Sequence, residues 1–505
     1  MRYLTDDDLR KLTPAESVSL ATPVPTQIVS NGEFTPPPQT PDQRRVEAGI
    51  ERYAEQLGPK HGLTRRQFLA SNAGMAAAFI AMNDVFGPLF SVSTAEAATP
   101  GVADARASTL SSQFIFDAQT HCVREDYAQK GLLGLAKFAK AHWNPALAHE
   151  DDLTRFMFAN YLKEVFVDSD TKVALLSGAP VDDPFNLFMT NDQIAAARAA
   201  VNTISGSRRM LGHSIIQPMT PGYLDEVDRA IATLRPDSWK GYTIGDPIFL
   251  TKKGSNWRLD DEKLVYPFYE KAVKSGIKTI CIHKGLMPAD YETSWAGLWQ
   301  YATVWDLGKA AKDWPQLTFV IYHSALRPFT ELPDRSLAEF EKTGRIDWVT
   351  DLAEIPAKHG VKNVFAELGT CFANTAVTHP RLAAAMLGTL VKGLGSDKVL
   401  WGTDSVWYGS PQWQIEALRR LEIPDDLQRA HGFAPLGDAQ GPVKNAIFAG
   451  NAARMYGIDT AMRHSEIRND HVAAMREEYL ASGVERSNLR YGYVATTESP
   501  TTESR

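Results

Sequence analysis

Short apolar segments rich in β-branched residues alternate with longer amphipathic segments between about residues 110 and 460. The longer segments carry apolar residues at helical spacing, as in the stretches 150–166 and 259–276. Gly276 and Gly360 stand where such helices are expected to end. The short apolar segments predict eight strands, at 114–119, 172–177, 212–217, 241–245, 277–283, 317–323, 362–367 and 398–403.

Eight repeats of strand and helix favour a closed parallel barrel, so we predict a (β/α)8 TIM barrel. An open, doubly wound parallel sheet is the alternative fold. No GxGxxG motif follows the first strand, which argues against a dinucleotide-binding version of that alternative.

Polar residues follow the carboxyl ends of the predicted strands. In a parallel barrel these ends form one face, and active sites lie on that face. A single histidine there is most often a satisfied core or loop residue, whereas five strands that present histidine or acid at one level favour a functional cluster. The five residues are His121, His283, His323, Glu367 and Asp404. In the first strand, Asp117, Gln119 and His121 alternate and are expected to share the inward face.

The composition is that of an ordinary globular protein: 44% of the 505 residues are hydrophobic and 22% are charged. The net charge is −7 and Lys and Arg form no block, so the chain lacks the basic surface that a nucleic acid requires. Cys122, Cys281 and Cys371 form no CxxC motif and are too few for a disulfide framework, which leaves three buried thiols or one bridge. We therefore expect a small-molecule substrate.

The segment "TRRQFLA", residues 64–70, has the pattern of a twin-arginine export signal. A weakly apolar stretch follows, and Ala95-Glu96-Ala97 fits the small-x-small cleavage rule. Asn83, Asp84 and Gly87 interrupt the apolar run, which disfavours a permanent membrane span. We expect export to the periplasm by the twin-arginine machinery; the alternative is a basic start to a core helix.

These features divide the chain into four predicted parts. Residues 1–63 are expected to be a disordered leader of unusual length, because the stretch 21–45 is rich in Pro and polar residues. Residues 64–98 form the signal segment, residues 110–460 the barrel, and residues 461–505 a C-terminal helix and tail.

Five motifs resemble, in order, landmarks of the amidohydrolase-related metal-dependent hydrolases. They are "IFDAQTH", "CIHKG", "WPQLTFVIYHSA", "VLWGTDS" and "NAIFAGNAARMYGID". The closer likeness is to the branch that contains aminocarboxymuconate-semialdehyde decarboxylase and resorcylate decarboxylase. The resemblance runs from about residue 114 to 457 and implies a TIM barrel of the metal-dependent hydrolase type with one divalent metal ion.

The resemblance also implies roles for individual residues. The family carries two histidine ligands on its first strand, and His121 matches the second of them. His283 matches the third histidine ligand, and Asp404 matches the aspartate that binds metal and handles protons. His323 matches the histidine that orients or protonates substrate, and Asp117 the aspartate before the pair.

Gln119 stands where the family has the first histidine of the pair, and the resorcylate-type relatives have a glutamate there. An amide oxygen is a hard, neutral ligand that suits manganese or magnesium better than zinc. We therefore expect a site for one zinc, manganese or magnesium ion with Gln119 among its ligands; the alternative is a site that has lost its metal. Lys284 would point away from His283, and Lys240 is expected at the start of its strand, so neither lysine favours a second metal.

Such a site supports two reactions with the same residues. In hydrolysis a divalent ion makes water more acidic and Asp404 takes the proton. In non-oxidative decarboxylation Asp404 or His323 gives a proton to the carbon that loses carbon dioxide. We expect a hydrolase acting on a small organic acid, ester, lactone or amide, with a carboxy-lyase of an aromatic or unsaturated acid as the alternative. A metal-free barrel that serves as a binding or accessory subunit is the third reading.

Loop residues on the same face are candidates for substrate binding. Trp295, Trp299, Trp407 and Tyr408 follow two of the strands and could wall a pocket for a flat acid, or cover the barrel mouth or a dimer contact. Arg327 could clamp a carboxylate, with a surface ion pair as the alternative, and Glu367 is the remaining candidate. The sequence leaves open whether the protein forms a homodimer.

Overall fold

The structure is a computed structural model, and it describes residues 12–14, 22–28, 39–126, 156–181, 187–245, 254–287, 291–327, 333–461, 467–483 and 493–495. Eight parallel strands follow one another around one sheet in sequence order. They are β1 Phe116–Thr120, β2 Val173–Leu176, β3 Met210–Ile215, β4 Ser238–Tyr242, β5 Thr279–His283, β6 Thr318–Tyr322, β7 Val364–Glu367 and β8 Val399–Leu400.

The residues that follow β8 close the sheet against β1. The amide of Ala118 donates to the carbonyl oxygen of Trp401 at 2.9 Å, and the amide of Asp404 donates to that of Gln119 at 3.0 Å. Thr120 and Ser405 form a parallel bridge. The predicted (β/α)8 TIM barrel is therefore confirmed, although the strand bounds differ from the predicted ones by a few residues.

Apolar side chains fill the barrel interior, as expected for strands that are buried on both faces. They come from most of the strands and include Phe116, Val173, Leu175, Leu211, Val320 and Phe365. Tyr456 packs on the same cluster with its ring centre 5.7 Å from that of Phe116. The candidate site residues lie beyond this cluster, at the carboxyl ends of the strands.

The helices of the described residues are α1 Pro41–Leu57, α2 Arg65–Ala70, α3 Asn72–Phe86, α4 Thr94–Ala98, α5 Val102–Leu110, α6 Phe158–Leu162, α7 Asn191–Ser205, α8 Tyr223–Arg229, α9 Tyr266–Ser275, α10 Tyr291–Ser294, α11 Leu307–Asp313, α12 Pro333–Thr343, α13 Val349–His359, α14 Cys371–Ala376, α15 Pro380–Leu394, α16 Gln412–Arg420, α17 Asp425–His431, α18 Pro442–Asn445, α19 Asn451–Tyr456 and α20 His471–Ser482. Short π-helical turns at Lys163–Val167, Ala230–Leu234 and Ala446–Gly450 continue α6, α8 and α18. Leu12–Pro14 and Tyr493–Ala495 form a separate antiparallel pair.

Two glycines end their helices as the sequence predicts. Gly276 after α9 has a φ of 81° and Gly360 after α13 has a φ of 68°, the left-handed conformation that favours glycine at this position. Within the part of the chain that the structure describes, no helix has both the length and the apolar character needed to cross a membrane.

The expectation of a disordered leader over residues 1–63 is wrong for α1. Thr40 caps this helix through a capping box with Gln43, and Val46 and Ile50 turn inward from it. Gly49 of α1 lies so close to Ala81 of α3 that an added Cβ would stand 3.1 Å from the Cβ of Ala81. The Pro-rich composition of the stretch 21–45 hid this amphipathic spacing, which begins only after it.

The predicted signal segment is part of the folded core. Ala76, Ala77, Ala78 and Phe79 of α3 have no exposed surface. The segment after α3 runs antiparallel to the end of α16, where Phe90 pairs with Leu421. Export through the twin-arginine pathway stays a prediction.

Buried ion pairs fasten this N-terminal layer to the barrel. Glu96 of α4 pairs with Arg420 of α16, and Arg106 of α5 pairs with Glu416 at 2.7 Å. Arg419 joins Glu416 at 2.8 Å to Asp170 at 2.7 Å. Burying a charged side chain costs free energy, and a partner of opposite charge offsets that cost. The predicted C-terminal helix is present as α20.

Candidate active site

Three polar side chains meet where β1 and the segment after β8 come together. The Nε2 atom of His121 lies 3.0 Å from Oδ1 of Asp404. The side-chain nitrogen of Gln119, Nε2, lies 2.9 Å from the same oxygen and 3.4 Å from Nε2 of His121. These three atoms form a small triangle, and we call Gln119, His121 and Asp404 the site triad.

The first strand is irregular at this point, which explains how Gln119 and His121 reach the same place. The pairing of β1 with β2 shifts register between Asp117 and Thr120. Asp117 does not join the triad: its carboxylate accepts hydrogen bonds from the amide of Thr403 at 3.0 Å and from the Thr403 hydroxyl at 2.5 Å. The expectation that Asp117, Gln119 and His121 share one inward face is therefore corrected, because the bulge redirects the strand. Asp117 instead holds the turn that carries Asp404.

Two glycines leave the space that the triad needs. A Cβ at Gly402 would stand 3.2 Å from the Cβ of Gln119 and 1.8 Å from Oε1 of Glu367. A Cβ at Gly369 would stand 2.5 Å from Oε1 of Gln119. Any larger residue at either position would push into the site, so "ELGT" and "WGTD" carry a packing signal that the sequence analysis did not use.

His283 and His323 form a second pair at the ends of β5 and β6. Nε2 of His323 lies 3.0 Å from Nδ1 of His283, and Nδ1 of His323 lies 3.0 Å from the carbonyl oxygen of Gly369. A carbonyl only accepts, so Nδ1 of His323 must carry a proton. Burial lowers the pKa of His323 to about 4, and the ring is therefore neutral with an accepting Nε2.

The same logic fixes the proton on His283. Because Nε2 of His323 accepts, Nδ1 of His283 must donate. Burial, followed by the nearby His323, lowers the pKa of His283 well below its ordinary value, so this ring is neutral too. Its Nε2 consequently carries a lone pair, which is the form in which a histidine binds a metal. His323 thus orients His283.

Glu367 lies behind the histidine pair. Its side chain is buried, Oε2 accepts from the amide of His323 at 3.2 Å, and Oε1 accepts from the amide of Gly369 at 2.5 Å. Burial raises the pKa of Glu367 to about 8. One oxygen supports the backbone of His323 and the other supports the backbone of Gly369, and the predicted contact of Glu367 with substrate stays a prediction.

Asp404 is the ionised carboxylate of the site. Burial raises the pKa of Asp404. The hydrogen bond and charge of His121, together with His323 and Thr370, lower it by more than burial raises it, so that the pKa falls to about 2. Every hydrogen bond that reaches this carboxylate is donated to it, from Gln119, His121 or the Thr370 hydroxyl. It can therefore accept a proton.

Two aromatic rings lie nearly parallel to site histidines. The ring of Tyr242 lies 4.3 Å from that of His283, centre to centre, at an angle of 15°. The ring of Trp407 lies 5.7 Å from that of His121 at an angle of 27°, and Phe156 and Phe188 pack against it. Trp407 therefore borders the triad, and its contact with substrate stays a prediction, whereas Tyr242 was missed because no polar pattern marks it.

Other predicted residues lie in different surroundings. Arg327 forms an ion pair with Asp347 at 2.7 Å and lies over the ring of Tyr291 at 5.0 Å. Trp299 packs among aromatic rings that include Tyr291 and Trp348. Trp295 is also buried. Their roles in substrate binding stay predictions.

The predicted position is right for Lys284 and wrong for Lys240. Lys284 turns away from His283, as predicted, and its Nζ atom binds Asp306 at 2.9 Å. Lys240 was expected at the start of its strand, but it is the third residue of β4 and is buried inside the barrel. Its Nζ atom lies 3.4 Å from the ring centre of Tyr322. The strand begins three residues earlier than predicted, which moves Lys240 inward.

The site triad fits a divalent metal by its chemistry. Among the described residues, no three His, Cys, Asp or Glu side chains are close enough to surround an ion. Gln119, however, has a buried Oε1 atom without a hydrogen-bond partner. A half-turn of the amide exchanges Oε1 with the nitrogen and brings the oxygen to the triangle. The edges of about 3 Å are those expected between neighbouring ligands that each lie about 2.1 Å from one ion.

Comparisons with known proteins give one family match. No curated protein has a sequence that matches this chain. The solved structures with similar folds include an uncharacterized TIM-barrel protein from Bordetella bronchiseptica, with 14% identity, coverage of 69% of this chain and 99% of that one, and a TM-score of 0.41. They also include 2,6-dihydroxybenzoate decarboxylase from Rhizobium, with 12% identity, coverage of 69% and 99%, and a TM-score of 0.40.

A third similar structure is 5-carboxyvanillate decarboxylase from Novosphingobium aromaticivorans, complexed with manganese and a nitrobenzoic acid. Its identity is 14%, its coverage 69% of this chain and 97% of that one, and its TM-score 0.38. These values are too low to carry an inference about reaction or substrate. The sequence of residues 225–458 matches the family model described as Amidohydrolase, and this match includes β4 to β8, His283, His323 and Asp404. Over this segment, the sequence of the chain is similar to that of the amidohydrolase family.

Proposed function

We propose that the protein is a mononuclear metal-dependent hydrolase that acts on a small organic acid, ester, lactone or amide. The observation that carries the proposal is the site triad, in which Asp404, His121 and Gln119 converge at 2.9 to 3.4 Å. The family supports a hydrolytic metal site of this kind. The arrangement places one base beside one cluster of ligands, which is what hydrolysis requires.

Gln119 by its amide oxygen, His121 by Nε2 and Asp404 by Oδ1 would hold the ion. His283 is the fourth ligand that the sequence predicts, and its Nε2 would have to move toward the triad, because no three His, Cys, Asp or Glu side chains of the described residues surround one point. A divalent ion bound there supplies a Lewis acid that polarises a carbonyl group and makes water more acidic. The donor set contains one charged carboxylate, two neutral imidazoles and one neutral amide. Such a set of oxygen and nitrogen donors suits manganese or magnesium as well as zinc.

Asp404 would take the proton from the attacking water. Its low pKa keeps the carboxylate ionised at neutral pH, and the hydroxyl of Thr370 binds Oδ2, which leaves Oδ1 to face the triad. The hydrogen bond from His323 to Gly369 holds His323 in one tautomer, which in turn holds His283 with Nε2 unprotonated. These residues therefore prepare the site before substrate arrives.

The substrate would lie between the two aromatic rings that flank the histidines. Tyr242 and Trp407 offer flat apolar faces next to His283 and His121. Flat faces favour a planar or unsaturated substrate over a bulky, saturated one.

Those flat faces also support a second candidate, a carboxy-lyase of an aromatic or unsaturated acid. Decarboxylation needs a proton at the carbon that loses carbon dioxide, whereas Asp404 receives all its hydrogen bonds and is ionised. Hydrolysis therefore remains the leading proposal.

One set of assays separates the candidates. Purified protein reconstituted with manganese or zinc would be incubated with lactones, esters and amides of small aromatic and unsaturated acids, and separately with the free acids. We expect an acid to be released from the first group and no carbon dioxide from the second. Carbon dioxide release without hydrolysis would favour the lyase. A protein that binds no divalent ion after reconstitution would favour a metal-free binding subunit instead.

A further inference from the structure

The two oxygens of Asp404 have different partners. Oδ1 faces Gln119 at 2.9 Å and His121 at 3.0 Å. Oδ2 points the other way and accepts a hydrogen bond from the hydroxyl of Thr370. The carboxylate can reach the triad with one oxygen only while the other is held, so Thr370 determines which way Asp404 faces.

A second layer of hydrogen bonds holds the Thr370 hydroxyl. Its Oγ1 atom lies 3.2 Å from the hydroxyl oxygen of Tyr408, and the side-chain nitrogen of Asn374 lies 3.4 Å from the same oxygen. Thr370 has one hydrogen to give, and it goes to Asp404; Tyr408 can therefore donate to Thr370 and accept from Asn374. Through this series of hydrogen bonds Tyr408 supports Thr370, in addition to the contact with substrate that the sequence predicts for it.

The backbone of Thr370 supports a functional reason for the side chain. Its φ is 57° and its ψ is −55°, a conformation that a β-branched residue rarely adopts and that costs free energy. Glycine would adopt it at lower cost. Asp404 and His323 also have positive φ values, of 60° and 62°. Strained conformations of this kind cluster at functional sites, and here they bring three side chains of one site together.

We propose that Thr370 is a positioning residue of the active site, which sets the orientation of the Asp404 carboxylate and thereby the affinity of the site for a divalent ion. The inference rests on the proposed function, because it takes Asp404 to be a metal ligand. Outer partners of metal ligands typically contribute 10- to 100-fold to metal affinity. No family motif in the sequence marks Thr370, which directly follows Gly369.

The test measures Mn2+ binding directly, by titration with the electron paramagnetic resonance signal of free Mn2+ as the readout. Thr370→Val keeps the shape and the β-branching but removes the hydroxyl, and we expect binding to weaken by about 10- to 100-fold. Thr370→Ser restores the hydroxyl and should restore most of the affinity. Thr370→Gly relieves the backbone but lacks the hydroxyl, so it should bind as weakly as Thr370→Val without a lower melting temperature.

A matched control is Thr389→Val, at another buried threonine, whose hydroxyl donates to the carbonyl of Ala385 within α15. It should leave Mn2+ affinity unchanged. If wild-type protein binds Mn2+ and Thr370→Val binds it equally well, the positioning role is wrong while the proposed function stands. If wild-type protein binds no divalent ion, the proposed function is wrong and the positioning role falls with it. If Thr370→Gly regains the affinity that Thr370→Val loses, the backbone rather than the hydroxyl is responsible, which also overturns the inference.

Discussion

Changing Glu96 to Gln tests whether the N-terminal helices are an integral part of the folded protein. Glu96 is 6% exposed and both of its oxygens face the guanidinium of Arg420, with Oε2 at 3.1 Å from Nη1. Gln keeps the size and one hydrogen-bonding oxygen but removes the charge. Arg420 would still have Glu416, at 3.3 Å from its Nε atom, so its own charge stays partly compensated.

The expected loss in the free energy of unfolding for Glu96→Gln lies between two known limits. Removing one charge-assisted hydrogen bond costs about 1.5–3 kcal/mol, and leaving a buried charge without any partner costs about 3–5 kcal/mol. Because Glu416 remains, we expect a loss of about 2–3 kcal/mol in the free energy of unfolding. In a chain of 505 residues, that lowers the melting temperature by roughly 2–3 °C.

The assay is thermal unfolding of the full chain, followed by circular dichroism. The matched control is Glu51→Gln, which removes the partner of Arg65 in an ion pair of 3.1 Å between side chains that are each 40% exposed. Exposed pairs contribute at most about 1 kcal/mol, so this variant should melt close to wild type. Equal melting temperatures for Glu96→Gln and Glu51→Gln would refute the docking of α4 on α16.

Three further predictions concern export and the site. Replacing Arg65 and Arg66 together with Lys should leave the protein in the cytoplasm, and normal periplasmic accumulation of this double variant would contradict the export prediction. Asp404→Asn should retain substrate binding but lower turnover by about 10² or more, because the amide cannot take a proton; near wild-type turnover would show that another group does so. Gln119→His should tighten zinc binding about tenfold and Gln119→Glu should favour manganese, both measured by metal titration; unchanged affinities in both variants would remove Gln119 from the ligand set.

The sequence predicted the barrel because its strands are buried on both faces. Segments such as the one around Val320 are nearly continuous apolar runs between helices, and this pattern leaves few alternative folds. The same order of strands also placed His283, His323 and Asp404 on one face. A pattern of this kind depends on local composition, which the sequence displays directly.

The finer geometry of the site depends on features that composition does not display. The register shift in β1 turns Asp117 toward Thr403, although strict alternation would put it beside Gln119. Thr370 was missed because its importance comes from a hydrogen bond to Asp404, 34 positions away in the chain.

The packing of the N-terminal layer could not be predicted from composition either, and its role as an export signal stays a prediction. The apolar run of α3 has the same composition whether it is an export signal or a core helix. In the structure, α3 packs against Gly49 of α1 and Glu96 of α4 pairs with Arg420, so both helices are part of the fold. Neither contact can be read from the segment alone.

Anomalous diffraction from crystals grown with Mn2+, recorded on both sides of the manganese absorption edge, tests the central claim most directly. The account predicts one manganese peak at the barrel mouth, within bonding distance of Nε2 of His121, Oδ1 of Asp404 and the side-chain oxygen of Gln119. A peak elsewhere, or no peak at full Mn2+ saturation, would contradict it.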